Sequence, residues 1–217
     1  MSIQQLSKNV YLVGKDWGFS LFYDAGDYYV ATGGYEGITE RFNKVKTYTG
    51  KDKPLKYQVV THHHSDHLEG MNEAEKLGVI FVAARDHVDT IKSMVDKPLT
   101  DDRFLFIDSA RSIANDMVSA VDVPSAHASQ HVTVYFKEAK ALFTADTYFS
   151  RQETGSPNGH DGLKRIQEAL AEREISPQLF AAAHSGRVLT REDFNNSLLK
   201  RAKTAVCPLD WSICRSR

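Results

Sequence analysis

Cysteine is nearly absent from this chain of 217 residues: the two present, Cys207 and Cys214, both lie close to the C-terminus. Two such residues cannot build a disulfide framework, so a reducing, cytoplasmic setting is the default expectation. An excess of either charge is missing as well. Lys and Arg number 27 against 28 Asp and Glu, net −1, which leaves no basic field to attract a nucleic acid. No apolar run approaches the roughly 18 residues that a membrane span needs, so no membrane partner is expected. The opening MSIQQLSKNVYLVG has no cationic start followed by an apolar core, which argues against a secretory leader. Low-complexity segments and Pro-, Gly- or Ser-rich linkers are also lacking. Residues 1–203 therefore read as one domain and 204–217 as a tail without a readable period.

What is present is a chain of short apolar strands separated by turn residues. NVYLVG (9–14), FSLFYD (19–24) and YYVAT (28–32) are β-branched and aromatic. Residues 36–50 carry Ile38, Phe42 and Val45 at helical spacing and stop at Gly50. A strand at 56–61, a short helix at 71–77, a strand at 79–84 and a helix at 86–95 follow. Strands are expected at 104–107, 117–123, 132–136, 141–145 and 179–183, with helices at 162–174 and 191–203. This order implies an α+β fold in which helices cover a pair of mixed sheets.

Metal-capable side chains recur just after those strands. VVTHHHSDHLEG (59–70) places His62, His64, Asp66 and His67 beyond an apolar run. His127 follows the strand at 117–123, Asp146 follows ALFTA, and His184 follows LFAAA. Loops at one edge of a sheet are where such architectures place their sites. Imidazole nitrogen and carboxylate oxygen suit zinc, although iron or manganese would accept the same donors. The alternation His62-x-His64 lets two rings turn the same way, with Asp66 and His67 beyond the bend and able to reach a second ion. A carboxylate such as Asp146 can bridge two cations about 3.5–4 Å apart.

The stretch THHHSDH, with His-x-His-x-Asp-His at 62–67, resembles the signature of the metallo-β-lactamase superfamily. Thr61 and Gly70 fit the same pattern, and His127, Asp146 and His184 fall in the order of the remaining ligands. The resemblance runs from residue 9 to about 199. It implies a four-layer αββα sandwich with metals at one edge of the two sheets. His62, His64 and His127 would hold one zinc ion, Asp66, His67 and His184 a second, and Asp146 would bridge them. It further implies a hydrolase in which a metal-bridging hydroxide attacks a small-molecule ester, lactone, thioester or amide, with Asp66 orienting the nucleophile. Asp146 favours the glyoxalase II and lactonase branch, with weak β-lactam hydrolysis as a side activity. The separate helical region of glyoxalase II is not expected in a chain of this length.

Several residues are open to more than one role. His131, four after His127, is either a supporting partner of the ligands or a strand residue. Tyr148 invites comparison with the tyrosine of acyl-homoserine lactonases, which lies one position further on. Arg187 is a candidate for meeting an anionic substrate or for a surface ion pair. His63 is expected to point away, and His87 and His160 to be solvated. The family usually has Val-Asp-Thr-Gly after its early strand, whereas this chain has Val30-Ala31-Thr32-Gly33, so a supporting carboxylate is missing. The alternatives are a mononuclear iron dioxygenase-like enzyme, on a similar frame, and a non-catalytic metal-binding module.

Overall fold

The computed structural model describes residues 1–200. The expectations for Cys207, Cys214 and the tail at 204–217 lie outside them. Thirteen strands and five α-helices are formed by the described residues. In chain order the first seven strands are β1 (Ser2–Ser7), β2 (Val10–Lys15), β3 (Gly18–Asp24), β4 (Tyr29–Thr32), β5 (Leu55–Val59), β6 (Ile80–Ala84) and β7 (Phe104–Ile107). They form one sheet in that spatial order, antiparallel from β1 to β4 and parallel from β4 to β7. Helices α1 (Ile38–Thr49), α2 (Met71–Lys76) and α3 (Val88–Ser93) connect its parallel half.

The second sheet holds β8 (Ala110–Ile113), β9 (Val118–Asp122), β10 (Val132–Phe136), β11 (Ala141–Phe143), β12 (Leu179–Ala181) and β13 (Leu189–Thr190), ordered β13-β12-β11-β10-β9-β8. Only β11 and β12 run parallel, joined through α4 (Asp161–Ala171). Helix α5 (Arg191–Leu199) follows β13.

Alternation along the strands explains the layering. Leu12, Leu21, Val30 and Val59 point between the sheets, where they meet Ala120, Val134, Phe143 and Ala181. Their neighbours Val13, Phe22, Ala31 and Val60 point the other way, onto Ile38, Phe42 and Val45 of α1. On the far side Val121, Leu142 and Phe180 meet Leu163, Ile166 and Leu170 of α4 and Phe194 of α5. Each fully buried side chain of this kind contributes about 1.5–3 kcal/mol. The result is helix, sheet, sheet, helix.

Local signals set the helix ends. Gly50 closes α1 in the left-handed region at φ 67°, donating to Lys46 O. Thr190 and Asp193 cap α5 reciprocally. The strands missing from the sequence expectation are β1, β8 and β13. Two of them are polar and lie at sheet edges, so backbone pairing rather than apolar content defines them.

Two backbone bonds stitch the sheets together at one edge. Val132 N donates to Thr61 O at 2.8 Å, and Phe19 N donates to Ala183 O at 2.9 Å. The candidate ligands sit between these stitches.

Candidate metal centre

The chain leaves β5 through Val60 and Thr61, whose backbones are held by Val82 and Val132, and delivers His62 with no solvent exposure. Ser65–His67 then form a single 3₁₀ turn that carries Asp66 and His67. From the second sheet, Asp146 follows Ala145, a non-glycine residue at φ 47°. Such a left-handed residue costs roughly 1–2 kcal/mol, and strain of this kind gathers at functional sites. His184 extends β12 by way of Ala183, whose N–H donates to Ala145 O.

These side chains converge as two groups. His62, His64, His127 and Asp146 form one and Asp66, His67 and His184 the other, with ligand atoms inside each group within 4.8 Å of one another. Asp146 faces both. Its Oδ2 lies 3.1 Å from His127 Nε2 and 3.6 Å from His62 Nε2. Its Oδ1 lies 2.9 Å from His67 Nε2 and 3.2 Å from His184 Nε2. Asp66 Oδ2 sits 3.6 Å from His67 Nε2 and 3.7 Å from His184 Nε2. Neither His67 Nε2 nor Asp146 Oδ1 has hydrogen-bond geometry despite their proximity. Buried polar atoms left in that state are costly, and a divalent cation accepting nitrogen and oxygen donors fits them.

Burial, then the rings of His67 and His131, holds the His62 imidazole far below its ordinary range, so it is neutral. Burial and neighbouring His127 also lower His64. Burial alone would raise the Asp146 carboxyl, but the His184 and His67 rings beside it outweigh that and hold it below the usual carboxylate range. His184 is the exception: burial would lower its imidazole, but Asp146 beside it outweighs that and raises it. Neutral His62 beside ionised Asp146 is the protonation pair that metal ligation requires.

Other expectations fare differently. Tyr148 is 2% exposed and lies under α4 and α5, its hydroxyl 3.1 Å from Ser197 Oγ and its ring against Phe180 and Phe194. It is therefore a core residue rather than a substrate contact, because the side chain after Asp146 and Thr147 turns to the outer face. Arg187 donates to Gln152 O at 2.8 Å and lies 3.7 Å from Asp193, so it ties down the loop beside the site. His131 packs its ring 4.8 Å from that of His62, yet neither ring nitrogen has a partner, and burial pushes it down to about 4. The polar support of His62 comes instead from Thr61 Oγ1, 3.2 Å from Nδ1. His63 is exposed and outside both groups. His87 is buried at 2% exposure, against the expectation of a solvated ring. His160 stays at the surface but is engaged, capping α4 through Nδ1 and donating from Nε2 to Thr147 O at 2.7 Å. Ala31 lies in the apolar layer under α1, paired across the ladder with buried Gln58.

Two aromatic residues were not legible as site residues. Trp17, 53% exposed on the β2–β3 turn, stacks on His184 at 5.2 Å and 9°. Tyr35 places its hydroxyl 2.8 Å from His184 Nδ1 and 3.5 Å from Asp66 Oδ2. Cavities open on either side of the cluster. One of about 680 Å³ is bordered by Trp17, Arg151, Gln152 and His184, and one of about 420 Å³ by His127, Asp146 and His160.

No family model matches the chain. Among curated proteins it is similar to a hydroxyacylglutathione hydrolase of Chelativorans sp. (strain BNC1), 26% identical over 152 residues, covering 67% of this chain and 56% of that protein. A second, from Roseobacter denitrificans, is 28% identical over 152 residues, covering 66% and 56%. A β-lactamase-like protein 2 homolog of Caenorhabditis elegans is 23% identical over 138 residues, covering 62% and 45%. The chain thus spans about half the length of the curated relatives it matches. Among solved structures, the metallo-β-lactamase FIM-1 from Pseudomonas aeruginosa, in its mono-zinc form, superposes with TM-score 0.69 at 18% identity, covering 92% of this chain and 93% of that one. The metallo-β-lactamase from Pontibacter korlensis gives 0.67 at 21%, covering 92% and 97%. The chain therefore has the two-sheet sandwich fold of these metallo-β-lactamases, and in sequence it is similar to hydroxyacylglutathione hydrolases and a β-lactamase-like protein.

Proposed function

We propose that the protein is a hydrolase that uses two divalent cations, zinc by preference, to cleave a small ester, thioester or lactone. The observation that carries this reading is Asp146, whose two oxygens face the two separate groups of ligand atoms. His62, His64 and His127 would hold one cation, Asp66, His67 and His184 the other, and Asp146 both. Cations bound there would polarise a carbonyl and ease deprotonation of water.

The chain's own residues do the rest. His62 and His67, both buried, close the cluster from the protein side. His127, His64 and Asp66 leave the opposite side accessible, so an acyl group can approach only from there. The Asp66 carboxylate, partly exposed, would orient an attacking water and take its proton. The two flanking cavities are within the size range of small-ligand sites, one for the acyl part and one for the leaving group. Two of the relatives are hydroxyacylglutathione hydrolases, which favours the ester and thioester class over β-lactams.

The test is a panel of esters, thioesters, lactones and a chromogenic cephalosporin against zinc-loaded protein, beside its Asp66→Ala and Asp146→Asn variants. Turnover of an acyl substrate that falls at least 100-fold in both variants is expected. Wild-type rates in either variant would overturn the mechanism.

A further inference from the structure

We propose that Tyr35 is a positioning residue for the second group of ligands alone, and so sets how readily a cation fills that position relative to the first. The inference rests on the two-cation reading above.

Tyr35 touches every member of the second group. Its hydroxyl lies 2.8 Å from Nδ1 and 3.2 Å from Nε2 of His184, and 3.5 Å from Asp66 Oδ2. Its ring packs 5.1 Å from His67 and 5.6 Å from His184. Its hydroxyl and ring meet Asp66, His67 and His184, and not His62, His64 or His127. One arrangement of protons satisfies these distances. His184 Nδ1 also lies 3.2 Å from Trp17 O, a carbonyl that can only accept. Nδ1 therefore carries the proton and shares it between Trp17 O and the Tyr35 oxygen, while Tyr35 donates onward to Asp66 Oδ2. That leaves His184 Nε2, 3.2 Å from Asp146 Oδ1, as the nitrogen that would meet a cation. A hydrogen bond to the far nitrogen fixes both the tautomer and the ring angle of a metal-ligating histidine.

The position of Tyr35 is itself fixed. It is 4% exposed, and its carbonyl and that of Glu36 accept from Arg41 Nη1, while Arg41 Nη2 donates to Gly18 O at 3.1 Å. Gly70 N donates to Gly34 O at 2.8 Å, which locks the Tyr35 segment onto the loop that bears Asp66 and His67. A Cβ on Gly70 would meet Tyr35 O at 2.3 Å, so this close approach needs glycine. The backbone around Tyr35 is thus pinned by the Arg41 side chain and by the Gly70–Gly34 bond, as that of a residue that orients ligands must be.

The experiment is a calorimetric titration of metal-free protein with Zn²⁺, comparing wild type, Tyr35→Phe, His184→Ala and His64→Ala. Phenylalanine keeps the ring and removes only the hydroxyl, and circular dichroism checks that the fold is retained. The expected result is that Tyr35→Phe weakens one binding step by about 10-fold or more, the range set by losing a hydrogen-bond partner of a ligand. That step should be the one lost in His184→Ala, with the step lost in His64→Ala changed less than about twofold. Equal weakening of both steps, or none, would overturn the inference. Unsubstituted protein that takes up fewer than two Zn²⁺ would bring down the two-cation reading, and this inference with it, so the two failures are told apart by the wild-type titration.

Discussion

A β-carbon added to Gly34 would lie 2.1 Å from the carbonyl oxygen of His67. The turn after β4 and the loop after β5 are therefore in backbone contact, with no space for a side chain between them. The expected outcome of Gly34→Ala is a stability loss of about 2–3 kcal/mol from overpacking, since a carbonyl cannot swing aside as a side-chain tip can. Urea unfolding of the metal-free protein measures it, and an unchanged midpoint would show that the contact relaxes freely.

Chelation should unfold the protein earlier. Ligands come from both sheets, so cations at the site would bind the folded state and not the unfolded one. At a free metal concentration 100 times the dissociation constant, one such ion contributes about 2.7 kcal/mol. For a chain of this size that corresponds to a melting temperature about 5–10 °C lower after EDTA treatment. Identical melting curves with and without Zn²⁺ would contradict it.

Asp24 supplies a test of pH dependence away from the site. It is 3% exposed and receives Lys51, Lys53 and the N–H of Gly26. Burial would raise its carboxyl, but the hydrogen bonds from the two lysines outweigh this and hold it below the ordinary 3.8. Its folded pKa is depressed, so its stabilisation is present above that ordinary value and is lost as pH falls through the folded one. Asp24→Asn is expected to cost about 2 kcal/mol at neutral pH. The gap from wild type should begin to narrow only below about pH 4 and close as pH passes below the depressed folded value. A gap that persists into acid would assign the effect to packing.

Tyr148→Phe separates the core from the site. Losing the hydroxyl that meets Ser197 should cost about 1 kcal/mol of stability. Turnover of any acyl substrate should stay within about twofold of wild type. A large loss of turnover at intact stability would return Tyr148 to the site.

Much of the fold and the ligand cluster can be read from the sequence, for identifiable reasons. Buried strands such as β5 and β6 declare themselves by apolar content, and the ligands follow them directly, so their chemistry and order are visible in one dimension. The edge strands β1 and β8 do not, because SIQQLS and ARSI carry little apolar signal and are strands only through their partners. The same limit applies inside the site. Trp17 and Tyr35 matter because of where the folded chain brings a ring or a hydroxyl, and no spacing announces that. Tyr148 misleads for the converse reason: it is next to a ligand in sequence but on the other face of its sheet.

The division of ligands between the sheets gives the site a schedule. As the chain is synthesised, the loop at 62–67 emerges with nitrogens and a carboxylate from both groups, but it can complete neither. His127 and Asp146 close the first group, and the second must wait for His184, after most of the second sheet has been made. If cations fill both groups, full loading would be a late event, available only to a chain whose two sheets have already found each other.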